Sequence, residues 1–111
     1  MTIFELSKDF PREDKYSLTD QIRRSSRSVC SGIAEGWRRR RYEAAFINKM
    51  SEAEGEAAET RVWIEFAVQC KYLPVDKGRE LYRTYNRILR TLVGMITHLH
   101  TWILPPPRKS Q

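Results

Sequence analysis

Apolar and small residues recur at steps of three and four along three long segments of this chain, and that spacing leaves few folds open to it. Leu18, Ile22, Ser25, Val29 and Ile33 make the first stripe. Phe46, Met50, Ala53, Ala57, Thr60, Ile64 and Ala67 make the second, and Leu81, Tyr85, Ile88, Leu92, Ile96, Leu99 and Ile103 the third. At about 100° per residue each set lies along one side of a helix. Only five glycines and five prolines punctuate the 111 residues, and three of the prolines sit together at Pro105–Pro107. No strand signal longer than a few residues and no internal repeat occurs. The pattern predicts an all-α fold, a short first helix and three long helices around a shared core. A chain of this length is one domain: a bundle over residues 1–104 and a flexible tail over 105–111.

The punctuation sets the expected boundaries. Pro11 ends a first helix of about two turns over Met1–Phe10, because the residue before proline avoids the helical region. Ser17 and Asp20 have the spacing of a capping box and open the second helix. Gly36 is its expected stop. Ser25, Ser28, Ser31 and Gly32 are small enough to let another helix approach closely. The third helix runs from about Tyr42 to Tyr72. Leu73-Pro74 breaks the chain, Asp76 is placed to cap the fourth helix, and that helix extends to about Leu104. The third helix carries a second apolar row, Val62, Phe66 and Leu73, with Trp63 and Cys70 beside it. A helix apolar on two sides needs two partners. One is the bundle core; the other is most simply a second copy of the chain. Val62, Trp63, Phe66 and Cys70 are therefore the expected oligomer interface.

Charge is segregated along the chain. Twenty Lys and Arg oppose fourteen Asp and Glu for a net charge of +6, and fourteen of the twenty are Arg. A basic balance points to nucleic acid, an acidic partner or an anionic surface. Arg23, Arg24, Arg27 and Arg38–Arg41 place seven arginines in nineteen residues against Glu35 alone. The first three fall opposite the buried stripe of their helix. The third helix is acidic, with Glu43, Glu52, Glu54, Glu56, Glu59 and Glu65. On the fourth, Arg79, Arg83, Arg87 and Arg90 fall within a band of roughly 80° on the far side from its apolar stripe. Guanidinium groups bind phosphate in bidentate fashion and stack on bases. The basic helices could equally pair with the acidic one, within the bundle or between subunits. The Arg38–Arg41 run is harder to neutralise internally, because four consecutive charges at a corner point in several directions. Trp37 and Tyr42 flank that run and could stack on bases.

Catalytic signatures are absent from the sequence. There is no Gly-rich phosphate loop of the GxxxxGK[ST] or GxGxxG kind. His98 and His100 are about 200° apart on a helix and cannot hold one metal from one face. Cys30 and Cys70 make no disulfide framework or metal cluster, and both are expected as buried, inert thiols. Glu35 is expected as a structural acid beside Arg38 and Arg39. No enzyme activity, catalytic residue, cofactor or metal is predicted. No segment approaches the length of a membrane span, the first ten residues lack the features of a signal peptide, and a cytoplasmic location is the default.

From Phe10 to Leu73 the sequence resembles the four-helix bundle family that includes the 23S ribosomal RNA intervening-sequence proteins. The resemblance rests on Phe10, Pro11, Glu13, Tyr16 and Leu18, then Gln21-Ile22-Arg23-Arg24, Ser28 and Val29, then Ile33-Ala34-Glu35-Gly36, Glu43 and Phe46. Two departures stand out: Gly32 occupies a position where relatives commonly have Asn, and the first helix is shorter than in relatives. The resemblance implies an antiparallel four-helix bundle, here with a short first helix, of the kind found in small basic bacterial proteins that assemble into rings, usually of five subunits. One branch serves as accessory proteins of diversity-generating retroelements, which bind a reverse transcriptase and nucleic acid.

Together these readings predict a non-enzymatic homo-oligomer, a pentamer by the resemblance. It binds nucleic acid, RNA first, through Arg38, Arg39, Arg40, Arg41, Arg79, Arg83, Arg87 and Arg90. An adaptor that docks a protein such as a reverse transcriptase is the alternative, as is an oligomer that spends its arginines on intersubunit salt bridges.

Overall fold

A computed structural model of the chain describes residues 3–10 and 18–105. It contains α1 (Ile3–Ser7), α2 (Asp20–Arg38), α3 (Glu43–Gln69), α4 (Val75–Thr97) and α5 (Leu99–Trp102). No strand occurs among the described residues, so the all-α expectation holds. Three long helices form an elongated bundle, the longest of them 27 residues or about 40 Å. Short connections make α2 and α3, then α3 and α4, antiparallel neighbours. The central helix α3 packs against α2 on one flank and α4 on the other, which leaves a third side of α3 bare.

The core stripe of α3 is the one its spacing predicts: Phe46, Met50, Ala53, Ala57, Thr60, Ile64 and Ala67 are all buried. Leu18, just before α2, and Ile22, Ser25 and Val29 within it are buried, and Ile33 is half-buried. Ser25 and Thr60 face each other in the dry interior with their hydroxyl oxygens 2.8 Å apart, and Thr60 also donates to the Glu56 carbonyl. The pair satisfies two polar groups that would otherwise be costly to bury.

Several helix boundaries differ from expectation. Gly36 does not stop α2, which continues to Arg38. It is buried, and a Cβ there would overlap Met50 Cε and lie 3.2 Å from Lys49 Cβ. Its role is therefore to let α3 approach. The Ser17 cap lies outside the described residues; Asp20 is the first residue of α2, and Thr19 before it makes no side-chain cap bond. Asp76 does not cap α4 either. Pro74 holds the cap position, and its carbonyl accepts from the Gly78 amide at 2.9 Å.

The end of α3 is turned by Lys71, whose φ of 64° is left-handed. The Tyr72 amide donates to the Ala67 carbonyl at 2.9 Å and the Lys71 amide to Val68 at 3.0 Å, the bonding of a Schellman motif with lysine in the position glycine usually holds. This turn buries Leu73 in the core. Leu73 thus leaves the second apolar row of α3 in which the sequence placed it.

The fourth predicted helix is broken at His98 (φ −107°, ψ 50°) into α4 and α5. The bend has a packing cause. It brings Leu99, Trp102 and Ile103 against the cluster of Phe46, Met50, Ala53, Leu92 and Met95. The Leu104 amide then ties the end of the chain to the Arg40 carbonyl at 2.8 Å. Pro105 is exposed, and the rest of the predicted tail lies outside the described residues.

Tyr85 is buried in the core, and that burial, helped by the nearby Cys30 thiol, pushes its phenol from 10 up to about 12. Below pH 10 the phenol is neutral in both folded and unfolded chains. Between pH 10 and 12 the unfolded chain releases the proton and the folded chain does not, so stability falls as pH rises, by about 3 kcal/mol in all. Tyr85→Phe should match the parent protein near neutrality and overtake it in urea melts across that alkaline window. Parallel pH profiles for the two proteins would refute the assignment.

Candidate nucleic-acid interface

The arginine run sits where α2 ends. Arg38 is the last residue of α2 and Arg39 its C-cap. Arg38, Arg39 and Arg41 are exposed and make no ion pair among the described residues. Arg40 differs. Its Nε donates to the Trp37 carbonyl at 2.9 Å, and its guanidinium lies 3.7 Å from the centre of the Trp37 ring. Trp37 also meets Trp102 edge-on at 6.2 Å. Trp37 is thus occupied by Arg40, whereas Tyr42 remains 57 % exposed beside the run. Glu35 lies beside Arg38 and Arg39, lining one pocket with them and Tyr42, and its carboxylate takes Lys49 Nζ at 3.3 Å.

Arg79, Arg83, Arg87 and Arg90 are all exposed along α4. Successive members are three or four residues apart, steps of about 4.5–6 Å along the axis. None of the four forms an ion pair among the described residues. Part of the acidic charge of α3 is directed to the α2 flank, whereas Glu54 lines a groove with Arg90 and Glu65 a pocket with Arg79 and Arg83, without closing to an ion pair. Arg24 of α2 reaches Glu56 Oε2 at 3.2 Å and Glu59 Oε1 at 2.5 Å, and Lys49 takes Glu52 at 3.4 Å. Arg24 therefore does not lie on the far side of α2, as its helical angle suggested, but at the α2–α3 seam. The Arg24 guanidinium, with the Trp63 indole, holds the Glu59 carboxyl below the usual carboxylate range. Arg23 is likewise engaged, bonding Ser7 Oγ at 2.6 Å and covering the Phe4 ring at 4.5 Å. The intramolecular neutralisation that the sequence left open thus takes α2's Arg24 and leaves the α4 stripe free.

The bare side of α3 carries Val62, Phe66 and Cys70, all exposed. Trp63 is half-buried: it packs on the core, stacks at 5.8 Å on Phe66 and donates Nε1 to Glu59. It belongs to the subunit interior as much as to an outer face. Neither cysteine is buried as expected, because Cys30 and Cys70 fall just outside the packed stripes of their helices. Among the described residues no His, Cys, Asp and Glu group could hold a metal ion, and no helix is long and apolar enough to cross a membrane.

Sequence reasoning missed one feature of this surface. A groove of about 590 Å³ runs between α3 and α4, lined in part by Arg61, Asn86, Leu89, Arg90 and Val93. Arg61 lies on the α4-facing edge of α3 and donates from Nη1 to Asn86 Oδ1 at 2.7 Å, with its guanidinium 5.5 Å from the Tyr82 ring. Its Nε is buried without a partner, the one such side-chain atom among the described residues. The available signal was Arg61 standing among the glutamates of the second half of α3, one position from the core stripe.

None of the curated proteins matches the chain. A crystal structure at 1.70 Å of a protein with unknown function from the S23 ribosomal protein family of Bacteroides thetaiotaomicron superposes with a TM-score of 0.77 at 29% identity, covering 86% of this chain and 85% of that one. The family model of the 23S rRNA-intervening sequence protein matches residues 1–94. The chain belongs to the 23S rRNA-intervening sequence protein family.

Proposed function

We propose that this chain is a non-enzymatic, cytoplasmic homo-oligomer that binds RNA by neutralising its phosphates. Two arginine sets carry the contact: Arg38–Arg41 at the α2–α3 corner and Arg79, Arg83, Arg87 and Arg90 along α4. One observation supports this above the rest: none of these eight guanidinium groups is spent on an ion pair among the described residues, although six glutamates lie on the central helix. Such contacts grip the backbone and carry no sequence readout. The bare face of α3, with Val62 and Phe66 each about half exposed, is the seam for a second copy. A ring, five-membered in the family resemblance, repeats the basic surface around its rim, so that weak patches act together.

A second reading also has support, because the same free arginines could pair with glutamates of a neighbouring subunit and hold the oligomer. Salt separates the two. Apolar seams resist salt, whereas phosphate contacts release counterions and weaken steeply with it. Light scattering after size exclusion, at low and high salt, should give an unchanged oligomer, while RNA affinity falls at least a hundredfold between about 50 and 200 mM salt. An oligomer that dissociates at high salt would favour intersubunit bridges. A salt-independent monomer would remove the seam. Weak RNA binding with retention of a reverse transcriptase in a pull-down would make the chain an adaptor.

A further inference from the structure

The groove between α3 and α4 has the chemistry of a nucleotide site. Its volume, about 590 Å³, lies within the range of small-ligand sites. Leu89 and Val93 give it an apolar floor. Arg61 stands on one wall with its fork held by Asn86 at 2.7 Å, so its orientation is set before any ligand arrives. Burying Arg61 Nε without a partner is unusual in a folded protein and calls for an explanation; holding this guanidinium at the groove supplies one. Arg90 lines the same groove and is also the last member of the exposed α4 stripe. A strand whose phosphates follow Arg79, Arg83 and Arg87 is therefore led to the groove mouth. The Glu54 carboxylate on the rim can accept from a ring N–H or an exocyclic amine.

We infer that this groove takes one unpaired nucleotide of a single-stranded RNA, its phosphate against Arg90 and Arg61 and its base on the Leu89–Val93 floor. The inference rests on the RNA-binding reading above and narrows it: paired bases cannot enter the groove, so single strands are preferred over duplex.

The test measures fluorescence anisotropy at fixed salt with a labelled oligouridylate and with a blunt RNA duplex of equal length. It compares the full-length protein with Arg61→Met, Asn86→Leu and Arg87→Gln. Arg87→Gln removes one charge from the stripe outside the groove. Asn86→Leu frees the Arg61 fork without changing charge, and circular dichroism checks that each variant folds. The parent protein should prefer the oligouridylate by about tenfold, from apolar burial of one base against Leu89 and Val93. Arg61→Met and Asn86→Leu should abolish that preference, while Arg87→Gln lowers both affinities in equal proportion. Equal, salt-sensitive binding of strand and duplex by the parent protein would overturn the groove assignment and leave the phosphate contacts standing. Binding of neither RNA would overturn both. Uridine monophosphate bound as tightly as the oligomer would overturn the strand in favour of a free nucleotide.

Discussion

Phe46→Ala is expected to destabilise the protein by about 4 kcal/mol, the cost of removing a fully enclosed aromatic ring and leaving a cavity. The side chain is 0 % exposed and sits in the cluster with Met50, Leu92 and Met95, against which Trp102 and Ile103 close. The cavity cannot readily collapse, because its walls come from three directions: α3 itself, α4 across the antiparallel seam, and the α5 segment tied back through the Leu104–Arg40 bond. Domains of this size have a total stability of about 5–15 kcal/mol, so the loss takes a large fraction of it. Phe66→Ala is the matched control. Its ring is 48 % exposed, and truncation should cost a dilute monomer under about 1 kcal/mol. If Phe66 lies in a seam between copies, its cost grows with protein concentration, whereas the cost of Phe46 does not. Urea melts at two protein concentrations read both effects. A Phe46→Ala protein within about 1 kcal/mol of the parent, with an unchanged denaturant slope, would show that the second cluster does not bear on global stability.

The buried stripes were legible in the sequence because helical spacing and burial are the same physical fact seen twice. The seven core positions of α3 follow directly from steps of three and four. What the spacing cannot encode is how a chain leaves a helix. Gly36 reads as a terminator, yet the Met50 side chain fills the space its Cβ would need, which makes it a contact point. Lys71 reads as an ordinary surface lysine, yet it takes the left-handed turn. The break at His98 depends on where Phe46 lies in space, some fifty residues earlier, and no local pattern carries that. The charge pattern shows the same limit. Helical angles placed both Arg24 and the α4 stripe on outer faces, but long side chains reach around their helix. Only packing decides that Arg24 meets Glu56 and Glu59 while the α4 stripe, with Glu54 and Glu65 lining the same pockets, closes no ion pair among the described residues. Arg61 was hidden for the converse reason: on paper it is one basic residue in an acidic helix, and its significance comes entirely from Asn86 across the interface.

Replacing Arg79, Arg83, Arg87 and Arg90 together with glutamine should leave the fold intact and weaken RNA binding by about 200-fold at 0.15 M salt. That figure follows from about 0.7 counterions released per phosphate neutralised on a single strand, four phosphates no longer neutralised, and extrapolation to 1 M salt, where the release term vanishes. The slope of log affinity against log salt should flatten by about 3. Stability should change little, since glutamine and arginine have similar helix propensities and the four side chains hold no ion pair in the subunit. The corner is the informative comparison. Arg38, Arg39 and Arg41 can be changed to glutamine on the same terms, but Arg40 cannot, because its guanidinium also covers Trp37 at 3.7 Å and its removal would loosen the α5 end of the bundle. The corner triple should therefore remove about 2 from the slope against about 3 for the stripe, and the two effects should add if both sets touch the same RNA. Replacing the stripe by lysine separates charge from shape: a retained slope with lower affinity would mean that the guanidinium fork, and not the charge alone, engages the phosphates. A stripe variant that binds RNA like the parent, or one that fails to bind RNA only because the oligomer has fallen apart, would reassign these arginines from phosphate contacts to subunit contacts.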